Sequence, residues 1–135
     1  MADGQPRWLR AVEVMSLLPA ALPGITVTHA ERQVALLRDV LRATAQTEEG
    51  LLRAGFPAEV VASVVRLTRF DAGFPYLEHL GVVADSADLA AKRVAMAALL
   101  REERRAASRG ASRPEAPEAR ARRHKAIEIV RRGLA

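Results

Sequence analysis

The chain has 135 residues, of which half are hydrophobic and only 4% aromatic, and it contains no cysteine. A chain of this size buries roughly two-thirds of its unfolded surface, so we expect one domain with a real core and neither disulfides nor thiolate metal ligands. The net charge of +5 comes from residues 101–135, which carry 11 basic and 5 acidic side chains. Because glutamates are interleaved with these arginines, the pattern favours an ordinary solvated helix over a nucleic-acid surface.

The N-terminal segment predicts a helix followed by a linker. The helix is predicted from Trp8 to Leu18, ending before Pro19, because proline disfavours a helical conformation in the residue before it. Its predicted buried face consists of Trp8, Leu9, Val12, Met15 and Leu18. Residues 25–28 are the only short strand candidate, so an all-α fold is predicted.

Two threonines are predicted to cap the next helices. Thr28, with Glu31 three residues later, forms a reciprocal capping pattern and predicts a helix to about Ala43. Thr47 is followed by two glutamates and predicts a short helix through Leu52, since acidic residues are favourable near a helix N-terminus.

The stretch 51–83 holds the clearest local signals. Gly55 suits the left-handed conformation that ends a helix, and Pro57 suits the start of the next one. Valines at helical spacing then predict a buried face, formed by Val60, Val61, Val64 and Val65. A second break at 71–73 and a proline at position 75 predict one more helix.

The C-terminal part predicts two longer helices. Ser86 is predicted to cap the first, which runs to about Ala107. Its predicted inward residues are Leu89, Val94, Met96, Leu99 and Leu100. Its predicted solvent-exposed residues are Lys92, Arg93, Arg101, Glu102 and Arg104. The last helix is predicted from about Glu118 to Arg132, ending at Gly133.

This pattern predicts a single all-α domain of about six or seven helices. We expect a helical core over residues 1–107, a flexible connection over 108–117, and a basic C-terminal helix over 118–135 that packs on the core. No secretory signal follows Met1, and no apolar stretch is long enough to span a bilayer. The predicted location is therefore cytoplasmic, with no membrane partner.

A series of motifs, taken together, resembles the HD-domain phosphohydrolases. The motifs are Leu36–Val40, Gly50–Pro57, Val64–Arg69, Tyr76–Leu77 and Ala91–Val94. They are most similar to the alarmone (guanosine polyphosphate) hydrolases and their small stand-alone relatives. The resemblance implies an all-helical fold in which a histidine, a His-Asp pair and a later aspartate bind a divalent metal, usually manganese. That metal activates water against a phosphate ester.

At the positions where the resemblance implies metal ligands, one of four is retained. Asp39 is the aspartate of the His-Asp pair, but Arg38 replaces its histidine, Arg10 lies near the preceding histidine, and Ala98 replaces the late aspartate. Arginine offers only donors and stays charged, so it cannot replace imidazole and repels a divalent cation. We therefore predict no catalytic residues, no bound metal and no cofactor. The sequence is interpreted as a degenerate, non-catalytic member, a pseudo-enzyme.

The arginines at these positions form a candidate anion-binding cluster. Arg38 and Arg42 lie four apart on one predicted helix and share a face, and Arg10 is the third candidate. Guanidinium groups match phosphate oxygens, so the cluster could bind a phosphate, a nucleotide or a nucleic acid. The simpler interpretation, favoured on sequence alone, is that Arg38 pairs with Asp39 or with a surface carboxylate and that the former metal pocket has closed.

Three functions follow as hypotheses. The leading one is a non-catalytic HD-like helical module that acts through protein or ligand binding, with a protein partner or a homodimer. The first alternative is a metal-dependent phosphohydrolase of nucleotides or alarmones that recruits His29 or His79 as ligands, although the histidine spacing gives no sign of convergence. The second alternative is a phosphate or nucleic-acid binder that uses the arginine cluster.

Overall fold

The computed structural model of the protein describes residues 6–69, 71–110 and 114–135, and within these ranges every regular element is a helix. The nine described helices are α1 (Arg7–Ser16), α2 (Leu18–Ala21), α3 (His29–Leu37), α4 (Val40–Ala43), α5 (Glu48–Arg53), α6 (Ala58–Leu67), α7 (Tyr76–Asp85), α8 (Leu89–Arg109) and α9 (Pro117–Leu134). Two of them, α2 and α4, are single turns of four residues. The predicted all-α class is confirmed.

Helix α8 is the centre of the domain. It packs against α1, α2, α3, α6, α7 and α9. The buried residues of its first three turns are Ala91, Arg93, Val94, Ala95, Met96, Ala97 and Leu99. Small side chains on this helix let its neighbours approach closely, and interaxial distance depends on the side chains at the contact. Helix α9 closes the other side by packing on α7 and α8, with Ala126 and Val130 fully buried.

The predicted caps of α3 and α5 are confirmed. Thr28 Oγ1 accepts a hydrogen bond from the Glu31 amide at 3.0 Å, and Glu31 Oε1 accepts one from the Thr28 amide at 2.9 Å. Thr47 Oγ1 accepts from the Gly50 amide at 3.0 Å. Gly55 has φ of +101° directly after α5, which is the left-handed conformation expected there. The two threonine caps fix the helix starts because they satisfy amides that have no intrahelical partner, and Gly55 allows the chain to turn after α5.

Two predicted helix boundaries were wrong. The first helix ends at Ser16, and Pro19 lies in the first turn of the separate helix α2, where a missing N–H costs nothing. The helix predicted to reach Ala43 ends at Leu37, and a turn at residues 38–39 precedes α4. This turn places Arg38 and Asp39 between α3 and α4.

The predicted cap of α8 was also wrong. Asp88, not Ser86, caps this helix, since Asp88 Oδ1 accepts from the Ala91 amide at 3.0 Å. Ser86 lies in the preceding turn and donates to the Val83 carbonyl at 2.7 Å. Leu89 follows the cap and is exposed rather than inward.

The buried face of α1 differs from the predicted one. Trp8 is 66% exposed and Val12 is 38% exposed. Leu18 is buried as predicted, and Met15 is partly buried against the core. The other covered positions are Val14 and Leu17, which join the main hydrophobic core. The face with Trp8 and Val12 and the face with Val14 and Leu17 are both apolar. Helical periodicity alone therefore does not indicate which of them is buried.

Arg93 was predicted to lie in solvent, and the structure contradicts this. Its side chain is 0% exposed and forms an ion pair with Glu31, Nη1 to Oε1, at 3.1 Å. Its other hydrogen bonds go to the carbonyls of Leu18, Leu22, Ile25 and Thr26, at 2.8, 3.2, 2.7 and 3.1 Å. Arg93 thus connects α8 to α2 and to the segment between α2 and α3, and it provides hydrogen-bond donors to carbonyls of both.

The C-terminal boundaries extend beyond the predicted ones. Helix α8 continues to Arg109, so the first part of the predicted connection at 108–117 is helical, and residues 111–113 of that connection lie outside the described ranges. Helix α9 passes through Gly133 and ends at Leu134. No helix in the described ranges combines the length and apolar character needed to cross a bilayer.

Candidate functional site

An open cleft of about 920 Å³ lies along the C-terminal half of α8. Its walls come from the α3–α4 turn, the loop between α6 and α7, and the start of α9. Its arginines are Arg38, Arg42, Arg69, Arg101, Arg105, Arg109, Arg122 and Arg123. Its acidic residues and histidine are Asp39, Glu102, Glu115 and His79. Eight guanidinium groups and three carboxylates line this cleft, and Glu13 and Glu103 pair with Arg101 and Arg123 from outside the lining. Positive charge is still in excess around the cleft.

The α3–α4 turn forms one wall of the cleft. Asp39 is the N-cap residue of α4, but its side chain makes no capping hydrogen bond. Instead it forms a long ion pair with Arg38, with Nη1 and Oδ2 separated by 3.8 Å and both side chains partly exposed. The predicted Arg38–Asp39 pair is therefore present, while the cleft beside it is open. Arg42 is exposed one turn later and has no carboxylate within 4.0 Å among the described residues.

The loop between α6 and α7 forms the second wall. Arg69 Nη1 donates to the carbonyls of Ala72 and Phe74, at 3.1 and 2.6 Å. These two hydrogen bonds fold the loop around the arginine just before Tyr76 begins α7. The guanidinium carbon of Arg69 lies 6.0 Å from the centroid of the Tyr76 ring, and that of Arg122 on α9 lies 5.9 Å from it.

The phenol of Tyr76 is half-buried in this charged setting. Burial raises the pKa of Tyr76 above its ordinary value of 10.0, and the negative charge of Glu102 raises it further. The positive charges of Arg38, Arg122 and Arg69 act in the opposite direction and lower it. Charged residues on three walls of the cleft therefore all affect the pKa of this phenol.

Helix α8 forms the floor of the cleft. One of its faces presents Ala95, Ala98 and Leu99, followed one turn later by Glu102 and then by Arg105. Residues three and four apart share a helix face, so this surface changes from apolar to charged along the helix. The apolar half packs in the core, and the charged half borders the cleft.

Helix α9 is tied to α8 by a nearly buried arginine. Arg123 is 8% exposed, and its Nε donates to Glu103 Oε1 at 2.6 Å. Its Nη1 pairs with Glu115 in the segment before α9. The hydrogen bond from Arg123 holds the pKa of the Glu115 carboxyl below its ordinary value of 4.5. This anchor sets the position of the α9 wall, on which Arg122 lies.

The residues singled out from the sequence fall into two groups. Arg38, Arg42, Asp39 and Ala98 line the same cleft, although they come from different elements. Arg10 is not among the lining residues, and its Nε is buried without a hydrogen-bond acceptor in the described part of the chain. The structure therefore brings together two of the three candidate anion-binding arginines.

The histidines are also separated. His79 lines the cleft, and its Nε2 lies 3.2 Å from the Leu67 carbonyl, which can only accept. This nitrogen is therefore a donor to the main chain. His29 is exposed at the start of α3 and is not among the lining residues.

The cleft does not fit the divalent metal that the resemblance implies. Asp39 is the one carboxylate at the four expected positions, and the positive charge of Arg38 lies beside it. Glu115 is occupied by Arg123. Over residues 6–69, 71–110 and 114–135, no three acidic or histidine side chains come together as a metal-binding group. A divalent cation has no adequate donor set here, because its charge requires several neutral or anionic ligands.

Sequence reasoning missed most of the positive charge of the cleft. Five of its eight arginines come from residues 101–135, the segment in which the chain carries its excess of basic residues. That excess is the available signal, although its interleaving with glutamates favours a solvated helix. The position of these arginines depends on how α9 packs on α8, which no local pattern specifies.

Comparison with protein-family models gives no match for this chain. Comparison with curated protein sequences gives no match either. The relationship to HD-domain proteins therefore stays a prediction from the motifs, and the geometry of the cleft is the basis for assigning a function.

Proposed function

We propose that this protein is a non-catalytic, HD-like helical module that binds a phosphate-bearing ligand, such as a nucleotide, in the arginine-lined cleft. The observation that carries the proposal is the presence of eight arginines and three carboxylates around one cavity of about 920 Å³. That volume is within the usual range of small-molecule sites, which is roughly 300–1,000 Å³. An anionic ligand would offset the charge excess of the cleft.

Part of the positive charge of the cleft has no carboxylate partner in the described part of the chain. Among the described residues, Arg42 and Arg122 have no carboxylate within 4.0 Å, and the pair formed by Arg38 and Asp39 is long and partly exposed. A guanidinium group presents planar, paired donors that match two phosphate oxygens, and such charge-assisted hydrogen bonds are stronger than neutral ones. Bringing like charges together without an anion is unfavourable, so the cluster favours a bound anion.

The non-catalytic part of the proposal rests on the donor set. The HD-type reaction needs a metal-activated water, and the cleft has Arg38 and Ala98 where ligands are expected. Release of phosphate from guanosine polyphosphates and nucleotides, measured with added manganese, tests this part. We expect no turnover above a no-enzyme control. Turnover that Asp39→Ala abolished would overturn the assignment and support the hydrolase alternative.

Titration calorimetry with pyrophosphate and with GDP tests the binding part. Arg42→Gln removes one cleft guanidinium, and we expect it to weaken binding about tenfold or more, since a hydrogen bond to a charged group contributes about 1.5–3 kcal/mol. Arg32→Gln is the matched control, because Arg32 is exposed on α3, lies outside the cleft lining and makes the same change in net charge. Its affinity should stay within about twofold of the unmodified protein.

Two results would contradict the binding proposal. One is the absence of any heat of binding for either ligand at low salt. The other is an equal loss of affinity in the Arg42 and Arg32 variants, which would indicate attraction by the whole protein rather than by the cleft. A protein partner or a homodimer stays a prediction from the sequence alone.

A further inference from the structure

Tyr76 connects two arginines that belong to different walls of the cleft. Its ring has the guanidinium carbon of Arg69 at 6.0 Å and that of Arg122 at 5.9 Å from its centroid. Arg69 follows α6 by two residues, and Arg122 lies in the second turn of α9. One aromatic ring is therefore the shared contact of two positive charges. We call the set Arg69, Tyr76 and Arg122 the tyrosine clamp.

The two arginines differ in how many of their N–H donors are available to a ligand. Arg69 uses Nη1 for the carbonyls of Ala72 and Phe74, so it is held by the loop. Arg122 has an exposed side chain and no hydrogen-bond acceptor among the described residues. Arg69 is suited to hold the ring, and Arg122 is suited to bind a ligand.

An arginine on an aromatic face keeps its donors available. The attraction acts between the positive charge and the ring face, while the N–H groups point outward in the guanidinium plane. A free arginine side chain loses rotamer freedom when it binds a ligand, and this loss weakens binding. Contact with Tyr76 restricts Arg122 before any ligand arrives. The ordering cost on binding is correspondingly smaller.

We propose that Tyr76 is a positioning residue, which holds Arg122 in the orientation that binds the ligand phosphate. This inference rests on the proposed function, since it concerns how the same cleft binds an anion. It adds a residue with no charge of its own to the binding machinery. It also explains why an aromatic side chain is half-buried among arginines.

Pyrophosphate titrations of Tyr76 variants test the inference. Tyr76→Phe keeps the aromatic face and should bind pyrophosphate within about twofold of the unmodified protein. Tyr76→Leu keeps an apolar side chain but removes the ring, and should weaken binding about threefold to tenfold. Equal affinities of the Phe and Leu variants would overturn the proposal, because a packing role alone would not separate them.

A double-mutant cycle tests whether Tyr76 affects pyrophosphate binding through Arg122. Tyr76→Leu combined with Arg122→Gln should weaken binding no more than Arg122→Gln alone, because Tyr76 acts through Arg122. Tyr76→Leu combined with Arg42→Gln should show the product of the two separate losses, since Arg42 makes no contact with the ring. Non-additivity with Arg42 and additivity with Arg122 would overturn the assignment.

Two readouts do not require a ligand or a folded Leu variant. Tyr76 is the only tyrosine of the chain, so an absorbance titration of its phenol follows one group. Arg122→Gln removes a charge that lowers the pKa of Tyr76 and should therefore raise that pKa. The Arg122 side-chain protons should show an upfield ring-current shift in NMR spectra, retained in Tyr76→Phe. An unshifted Arg122 resonance would overturn the clamp.

The outcomes separate this inference from the proposed function. If pyrophosphate binds and Tyr76→Leu leaves its affinity unchanged, the proposed function stands and the positioning role fails. If pyrophosphate does not bind at all, the proposed function fails and the positioning role fails with it, even where the ring-current shift establishes the contact.

Discussion

Replacing Arg93 with methionine should be among the most damaging single changes to this fold. Arg93 is 0% exposed and provides the ion-pair partner of Glu31, whose side chain is only 5% exposed. Removing one partner of a buried ion pair costs about 3–5 kcal/mol, because the other charge stays buried without compensation. The same substitution removes the buried hydrogen bond to the Leu18 carbonyl. This loss adds about 1–2 kcal/mol to the destabilisation.

The expected loss is therefore about 4–7 kcal/mol, which is a large part of the 5–15 kcal/mol that stabilises a typical domain. The remaining three carbonyls belong to a partly exposed segment and can be hydrated, so they add little. Urea unfolding followed by far-UV circular dichroism measures the loss as a lower midpoint at an unchanged slope. Arg93→Lys keeps the charge with fewer donors and should lose about 1–3 kcal/mol.

Two further variants check the reasoning. Arg104→Met makes the same chemical change at an exposed position of α8 and should change stability by less than about 0.5 kcal/mol. Adding Glu31→Gln to Arg93→Met removes the uncompensated charge and should restore at least about 1 kcal/mol. A loss below about 1 kcal/mol for Arg93→Met, or no recovery in the double variant, would refute the account of this buried pair.

Two other predictions concern the packing and the electrostatics of α9. A Cβ atom on Gly133 would lie 2.5 Å from a backbone oxygen of α7, so Gly133→Ala should destabilise the protein by about 1–3 kcal/mol in urea unfolding. Gly81→Ala is the matched control, because a Cβ atom at this helical position would meet open space; it should stabilise the protein by about 0.5–1 kcal/mol. A Gly81 variant less stable than the Gly133 variant would contradict the α7–α9 contact. Glu115→Gln should destabilise at pH 7, because the folded-state pKa of Glu115 is lowered by its arginine partner. This stabilisation is complete above the ordinary carboxyl pKa of 4.5 and disappears as pH falls through the lowered value, so a difference independent of pH would contradict it.

The parts of the fold that were predictable from the sequence are those decided by local chemistry. The Thr28–Glu31 box, the Thr47 cap and the positive φ of Gly55 each involve residues only a few positions apart. Such motifs satisfy amides or allow a backbone conformation whatever the rest of the chain does.

The errors arose where partners are distant in sequence. Arg93 was assigned to solvent because a charged residue is normally exposed, yet its partner Glu31 lies 62 positions away. A cue was present, since residues 94–100 are apolar on all sides, which is typical of a buried helix. Helical spacing predicts a buried Trp8, but the opposite face through Val14 is also apolar, and only tertiary packing decides which face is buried.

The candidate site was predictable in part for the same reason. The motif order predicts that Arg10, Arg38, Asp39 and Ala98 lie at one site. The structure puts the last three on one cleft, but not Arg10. The arginines of α8 and α9 were not predicted there, because their position depends on the packing of two helices separated by a connection. Nothing in the local pattern around Tyr76 indicated that arginines would flank its ring.

The most direct test of phosphate binding in the cleft is an NMR titration of arginine Nε–Hε resonances with pyrophosphate. The proposed function predicts saturable shifts for Arg38, Arg42 and Arg122, which line the cleft. The resonances of Arg32 and Arg53, which lie outside it, should barely move. Non-saturating shifts of similar size at all five arginines would mean that pyrophosphate is attracted only by general surface charge, and would contradict a binding site in the cleft.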